Sequence, residues 1–253
     1  MIKPEENLRR GRGKLAETKA LPIADVELRF WGEITRPPSS NDEIIYVHKD
    51  WSFISRLDAV LSQVSPKRMI EIGILDGGSY SQYKPERLVV FDKAAEAPYL
   101  TRFLSRNGLT NKVRAHLAVL QGNGHRLRAV TRHEFASGSV DAIMDDASHQ
   151  YADTKAAFEV LFPFLRSGGV YIIEDWAWGH EHDWPSDLWA DRPLMSPLIT
   201  ELMLVCGHGS GVVEKVEIDP NFCCVWRGPK DLPRDGEFKL EDHYRARGFS
   251  VAL

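Results

Sequence analysis

The sequence is defined first by what it has little of. Only three cysteines occur in 253 residues, and two of them, Cys223 and Cys224, are adjacent. With Cys206 they make neither a disulfide framework nor a zinc-binding spacing, so a reducing, cytoplasmic setting is expected. There is no basic excess: 32 Lys and Arg stand against 36 Asp and Glu, a net charge of −4. A chain that releases no counterions from phosphates in bulk is not expected to bind nucleic acid as its main task. No stretch approaches the roughly 20 apolar residues of a membrane span, and MIKPEENLRRGRGKLAETKA at the start lacks the apolar segment of a secretory leader. Repeats and low-complexity segments are also missing. What remains is a composition of 43% hydrophobic and 27% charged residues, ordinary for a folded α/β protein.

Residues 1–45 read as an N-terminal arm and irregular extension, with Arg9, Arg10, Arg12 and Lys14 among few apolar groups and the breaker PPSS at 37–40. The arm is expected to be a solvated tail or a lid that orders on binding. Residues 46–253 read as one domain. Trp51, Ile54, Leu57, Val60, Leu61 and Val64 have helical spacing and stop before Pro66. Apolar runs follow at 68–74, 87–92, 112–119, 139–146 and 169–175, separated by helical patterns near 77–83, 95–107, 124–134 and 151–166, the last ending at Gly168-Gly169. Strands apolar throughout and separated by helices indicate a doubly wound, mostly parallel sheet covered on both faces. Residues 211–219 and 222–228 are joined by Pro220-Asn221, too tight for a crossover helix, so they should form an antiparallel hairpin, the last two of seven strands.

Two segments carry unusual chemistry. MDDASHQ (144–150) ends one apolar run with Asp145 and Asp146 and places His149 three residues on, while IIEDW (172–176) ends the next with Glu174 and Asp175. Strands joined by one crossover usually lie side by side with their carboxyl ends together, which gathers these four acids. Such crowding calls for a cation, and oxygen ligands without cysteine or paired histidine suit Mg²⁺, Mn²⁺ or Ca²⁺. Strand alternation turns only one of Asp145 and Asp146 into the crevice. His149 has a natural pKa suited to taking a hydroxyl proton near neutral pH. The competing reading makes Asp146 a cap on the helix starting near Gln150 and leaves Glu174 and Asp175 as solvated loop residues.

Earlier in the chain, Glu71-Ile72-Gly73-Ile74-Leu75-Asp76-Gly77-Gly78-Ser79 puts glycines where the first core strand turns toward a helix. The order G-x-x-x-G-G is not the G-x-G-x-x-G of nicotinamide-binding proteins. Asp92, nineteen residues after Gly73, ends the second strand, where a carboxylate can accept both hydrogen bonds of a ribose diol or cap a helix. Glu71, the glycines, Asp92 and the hairpin together resemble class I S-adenosylmethionine-dependent methyltransferases over about residues 50–230. That resemblance implies S-adenosyl-L-methionine as cofactor, bordered by Glu71, Gly73, Gly77, Ser79, Asp92, Gln121 and Asp145.

DDASHQ and GGVYIIEDWAW further resemble the metal-dependent macrocin and mycinamicin type of sugar O-methyltransferases. This implies Asp146, Glu174 and Asp175 as ligands of Mg²⁺ or Mn²⁺ and His149 as general base, with Asp145 turned away from the metal. Beyond the strand end, residues 176–193 hold Trp176, Trp178, Trp184 and Trp189 interleaved with His180, His182, Asp183 and Asp187. Tryptophan faces stack on sugar C–H groups while imidazoles bind hydroxyls, so Trp176, Trp178, His180 and His182 are expected to contact a small-molecule or oligosaccharide acceptor. The competing use of these tryptophans is a subunit interface in a homo-oligomer. A small phenol or catechol acceptor, and a cofactor-binding module without catalysis, remain alternatives.

Overall fold

A computed structural model of the chain describes residues 21–22, 44–45, 51–73, 85–91, 113–116, 124–180, 193–233 and 237–245. Most of the N-terminal arm, and the helical patterns expected near 77–83 and 95–107, lie outside them. Two short strands, β1 (Leu21–Pro22) and β2 (Ile44–Ile45), pair antiparallel. The main sheet is built from β3 (Arg68–Ile72), β4 (Arg87–Phe91), β5 (Val113–His116), β6 (Val140–Asp145), β7 (Leu165–Glu174), β8 (Val213–Ile218) and β9 (Phe222–Arg227). Their order across the sheet is β5-β4-β3-β6-β7-β9-β8. The first five are mutually parallel, whereas β9 runs antiparallel to both β7 and β8. Such a mixed sheet flanked by helices is consistent with a Rossmann-like architecture.

Four helices are described: α1 (Trp51–Val64), α2 (Gly124–Glu134), α3 (Tyr151–Leu161) and α4 (Ser196–Gly207). In α1 the residues Phe53, Leu57, Val60, Leu61 and Val64 recur every three or four positions and are buried, so one stripe of the helix faces the core. The helix ends where Ser65 takes a positive φ of 45° and Pro66 denies a further backbone donor. Strands β3, β6 and β7 are nearly continuous apolar segments because helices cover the sheet; Met69, Ile70, Ile143, Met144, Ile172 and Ile173 are fully buried.

Two boundaries depart from the sequence reading. The helix expected over 151–166 ends at Leu161, because Pro163 has no N–H to continue the ladder, and Phe162–Phe164 instead form a 3₁₀ turn. The next strand starts at Leu165, not at 169. Gly168-Gly169, expected as a helix stop, lie within β7, at the point where its register against β6 shifts between the pairs Val140–Leu165 and Ala142–Val170. Helix α4 had no counterpart in the sequence reading; Pro197 in its first turn and buried Leu198, Ile199, Leu202 and Val205 mark it.

Candidate active site

The strand order fixes where a ligand can sit. Strand β3 lies between β4 and β6, so successive connections leave it in opposite directions. At such a reversal the carboxyl ends of adjacent parallel strands open a crevice. Ile72 pairs with Asp145, and Asp145 with Ile173, so the ends of β3, β6 and β7 are level. The backbone then crosses closely: Asp146 N–H donates to Ile72 O at 2.9 Å, and Gly73 N–H to Phe91 O at 2.8 Å. Gly73 has φ +77°, and a Cβ there would meet Ala147 Cα at 2.7 Å and the carbonyl carbon of Asp146 at 2.8 Å. Glycine at this position is required by the neighbouring strand end as well as by its own backbone.

Alternation along β6 separates the two aspartates. Asp145 is 3% exposed and accepts a hydrogen bond from the Tyr171 hydroxyl at 2.9 Å. Burial pushes its carboxyl up to about 7; the Tyr171 and Ala147 hydrogen bonds pull the other way, and the charges of Asp146 and Asp153 add to the rise. Burial likewise raises the Tyr171 phenol well above its ordinary value. Asp146, one residue on, is partly open to the crevice.

Asp146, His149 and Asp175 converge. Each offers one ligand atom, and all three atoms lie within 4.8 Å of one another. His149 and Asp175 both have positive φ, 55° and 52°, uncommon for residues other than glycine although His and Asp adopt it more readily than most. His149 Nδ1 lies 3.3 Å from Glu174 O, so a proton on Nδ1 is directed to that carbonyl and the Nε2 lone pair faces the cluster. Nε2 is 3.6 Å from Asp146 Oδ1, too long for a direct hydrogen bond and suited to a third atom held between them. The Trp178 ring stands beside the imidazole, centroids 4.6 Å apart.

The remaining expected residues are distributed as follows. Glu174 is 1% exposed at the end of β7 and is not one of the three clustered groups; it is no solvated loop residue either. Helix α3 takes Gln150 as its N-cap with no side-chain cap, so Asp146 does not serve that role. Glu71 is buried near the end of β3. Trp176 packs against the core and its indole N–H donates to Asp219 O at 2.8 Å, while Trp178 and His180 lie in a 3₁₀ turn outside the core. Gly77, Ser79, Asp92, Gln121, His182, Trp184 and Trp189 lie outside the described residues. Sequence reasoning missed Tyr171; its one signal is that it lies two residues before Ile173, the partner of Asp145, and therefore on the same face.

Residues 70–176 match the family described as methyltransferase domain. Among curated proteins, the L-olivosyl-oleandolide 3-O-methyltransferase of Streptomyces antibioticus is 31% identical over 159 residues, 55% of this chain and 37% of that protein. The mycinamicin VI 2''-O-methyltransferase of Micromonospora griseorubida is 36% identical over 59 residues, 23% of this chain and 15% of that protein. The chain thus spans well under half the length of these relatives. Among solved structures, the mycinamycin-pathway methyltransferase MycE in complex with Mg, SAH and mycinamycin VI superposes with a TM-score of 0.52 at 21% identity, covering 69% of this chain and 49% of that one. At that identity the likeness speaks to the fold. No helix among the described residues is long and apolar enough to cross a membrane.

Proposed function

We propose, from the match of residues 70–176 to the methyltransferase-domain family, that the protein is an S-adenosylmethionine-dependent O-methyltransferase that uses a divalent cation and acts on a sugar hydroxyl. The observation that carries the reading is the convergence of Asp146, His149 and Asp175 within 4.8 Å at the ends of β6 and β7. Relatives that methylate glycosylated natural products, and a similar fold solved with Mg and SAH, support it.

The donor set fits a hard cation, since two carboxylates meet in a partly open crevice and no cysteine is among the three clustered groups. Asp146 and Asp175 would hold Mg²⁺ or Mn²⁺, with Glu174 at the adjoining strand end as the third expected ligand. When bound, the cation lowers the pKa of an acceptor hydroxyl. S-Adenosylmethionine, when bound at the crevice beside Glu71 and Gly73, supplies an electrophilic methyl group. The protein's own work is alignment and proton removal. Glu174 O orients the His149 ring through Nδ1, which leaves Nε2 to take the acceptor's hydroxyl proton. Trp178 covers one side of the imidazole and offers an aromatic face to a sugar ring.

A product screen with S-adenosylmethionine and Mg²⁺ over glycosylated natural products, methylmannoside-type oligosaccharides and catechols tests this. Methyl ethers on sugars alone, abolished by EDTA and restored by Mg²⁺, are expected. Full turnover in chelator would retire the cation, and turnover confined to catechols would retire the sugar.

A further inference from the structure

The turn between β8 and β9 touches the site from below, and a cation on α1 grips it. Arg56 reaches the turn with two arms: Nη2 donates to Asn221 Oδ1 at 2.8 Å, and Nε lies 2.6 Å from Asp219 Oδ2. The turn is closed internally, with Asn221 N–H donating to Asp219 Oδ1 at 2.9 Å and Asp219 N–H to Phe222 O at 2.9 Å. Its two outward carbonyls are spent on the residues that follow β7. Asp175 N–H donates to Asn221 O at 2.6 Å, and the Trp176 indole N–H donates to Asp219 O at 2.8 Å. Phe53, one helical turn before Arg56, packs edge-on against Phe222 at 5.6 Å between centroids, which seats α1 on the same strand end.

Asp175 needs such support. Its backbone is left-handed at φ 52°, an uncommon conformation that the Asn221 carbonyl holds through the Asp175 N–H, so the turn shares in directing Asp175 into the cluster with Asp146 and His149. The guanidinium meets two side chains of one turn at once, an ion pair to Asp219 and a hydrogen bond to Asn221 from two nitrogens held in a fixed plane, a geometry that the single nitrogen of a lysine does not reproduce. We infer that Arg56 is a positioning residue which, through the Asp219–Asn221 turn, fixes the Asp175 carboxylate and so sets the divalent-cation affinity of the site. This rests on the cation reading above. It adds a residue distant from the site in sequence.

The test is direct binding of Mn²⁺, followed by electron paramagnetic resonance, together with S-adenosylhomocysteine calorimetry and urea unfolding, on wild type, Arg56→Ala, Arg56→Lys and Asp219→Asn. The expected result is Mn²⁺ affinity about tenfold weaker in Arg56→Ala, with S-adenosylhomocysteine affinity within about twofold of wild type. Arg56→Lys should recover part of the loss. Asp219→Asn should reproduce Arg56→Ala, and the double variant should bind no worse than either single one, because both act through one turn. A merely structural role would lower the unfolding midpoint and leave Mn²⁺ affinity unchanged, which would overturn the inference, as would additive losses in the double variant. If the wild type binds S-adenosylhomocysteine but no Mn²⁺, the cation site falls and this inference with it. Retained Mn²⁺ binding in Arg56→Ala sinks the inference alone.

Discussion

Replacing Gly73 by alanine is the sharpest probe of how the strand ends are fitted. Two costs coincide at that position. The first is conformational: an L-residue at φ +77° loses about 1–2 kcal/mol relative to glycine. The second is crowding. The new methyl would meet backbone atoms of Asp146 and Ala147, which cannot rotate aside as a side chain can. Overpacking of that kind adds about 1–3 kcal/mol, so a total near 2–5 kcal/mol is expected. Against a typical stability of about 5–15 kcal/mol this is severe. Gly138→Ala is the matched control, since Gly138 has φ +69° and a methyl added there would have nothing within 4 Å. It should show the conformational cost only. In urea, followed by tryptophan fluorescence, the Gly73→Ala midpoint should fall by on the order of 1–2 M, clearly more than that of Gly138→Ala. Relief of the clash requires the end of β6 to retreat by roughly 1 Å, a displacement of a size that costs activity on the order of a hundredfold. Mn²⁺ affinity should therefore fall with stability. Equal midpoints for the two variants would refute the close crossing of Gly73 and the β6 end.

His149→Ala should lower turnover by about 10²–10⁴-fold and leave S-adenosylhomocysteine affinity within about twofold, measured by product formation and calorimetry; turnover near wild type would remove the imidazole from proton transfer. Asp145 gives a pH signature in chelated protein. Its folded pKa is raised from 3.8 to about 7, so the folded state holds the proton more tightly than the unfolded chain. The resulting stability is fully present below about 3.8 and is lost as pH rises through about 7. The urea resistance of wild type relative to Asp145→Asn should therefore fall between about pH 4 and 7; parallel curves for the two proteins would exclude a titrating Asp145.

The parallel part of the sheet was legible because burial on both faces leaves runs of apolar residues, as in residues 88–91 and 170–173. The level alignment of Asp145 and Ile173 followed from a single crossover between adjacent strands. Other features had little local signal. The positive φ of His149 and Asp175 carries only a weak residue-type signal, since His and Asp adopt it somewhat more readily than other side chains and no spacing marks it. Phe162-Pro163-Phe164 is apolar enough to extend a helical pattern, and only the missing N–H of Pro163 cuts it, so periodicity alone places Leu165 and Arg166 in the wrong element. Helix α4 has a weak periodic signal because its segment Ser196–Gly207 is apolar on most sides, as a core segment is. Trp176 shows the same limit. From sequence its ring and indole N–H look available to an acceptor, whereas the structure spends the N–H on Asp219 O.

That last bond also orders events in time. A ribosome releases the chain from its N-terminus, and β3 to β7 are complete before the hairpin exists. Trp176 and the carbonyl that receives its indole proton are 43 residues apart, and Asp175 waits on the same late turn. During synthesis the central strands can assemble, with Asp146 already in place, while the loop that brings in the second carboxylate stays unset until residues 219–222 have emerged. The emerging protein thus holds Asp146 and Asp175 apart from their final convergence until its last strands dock.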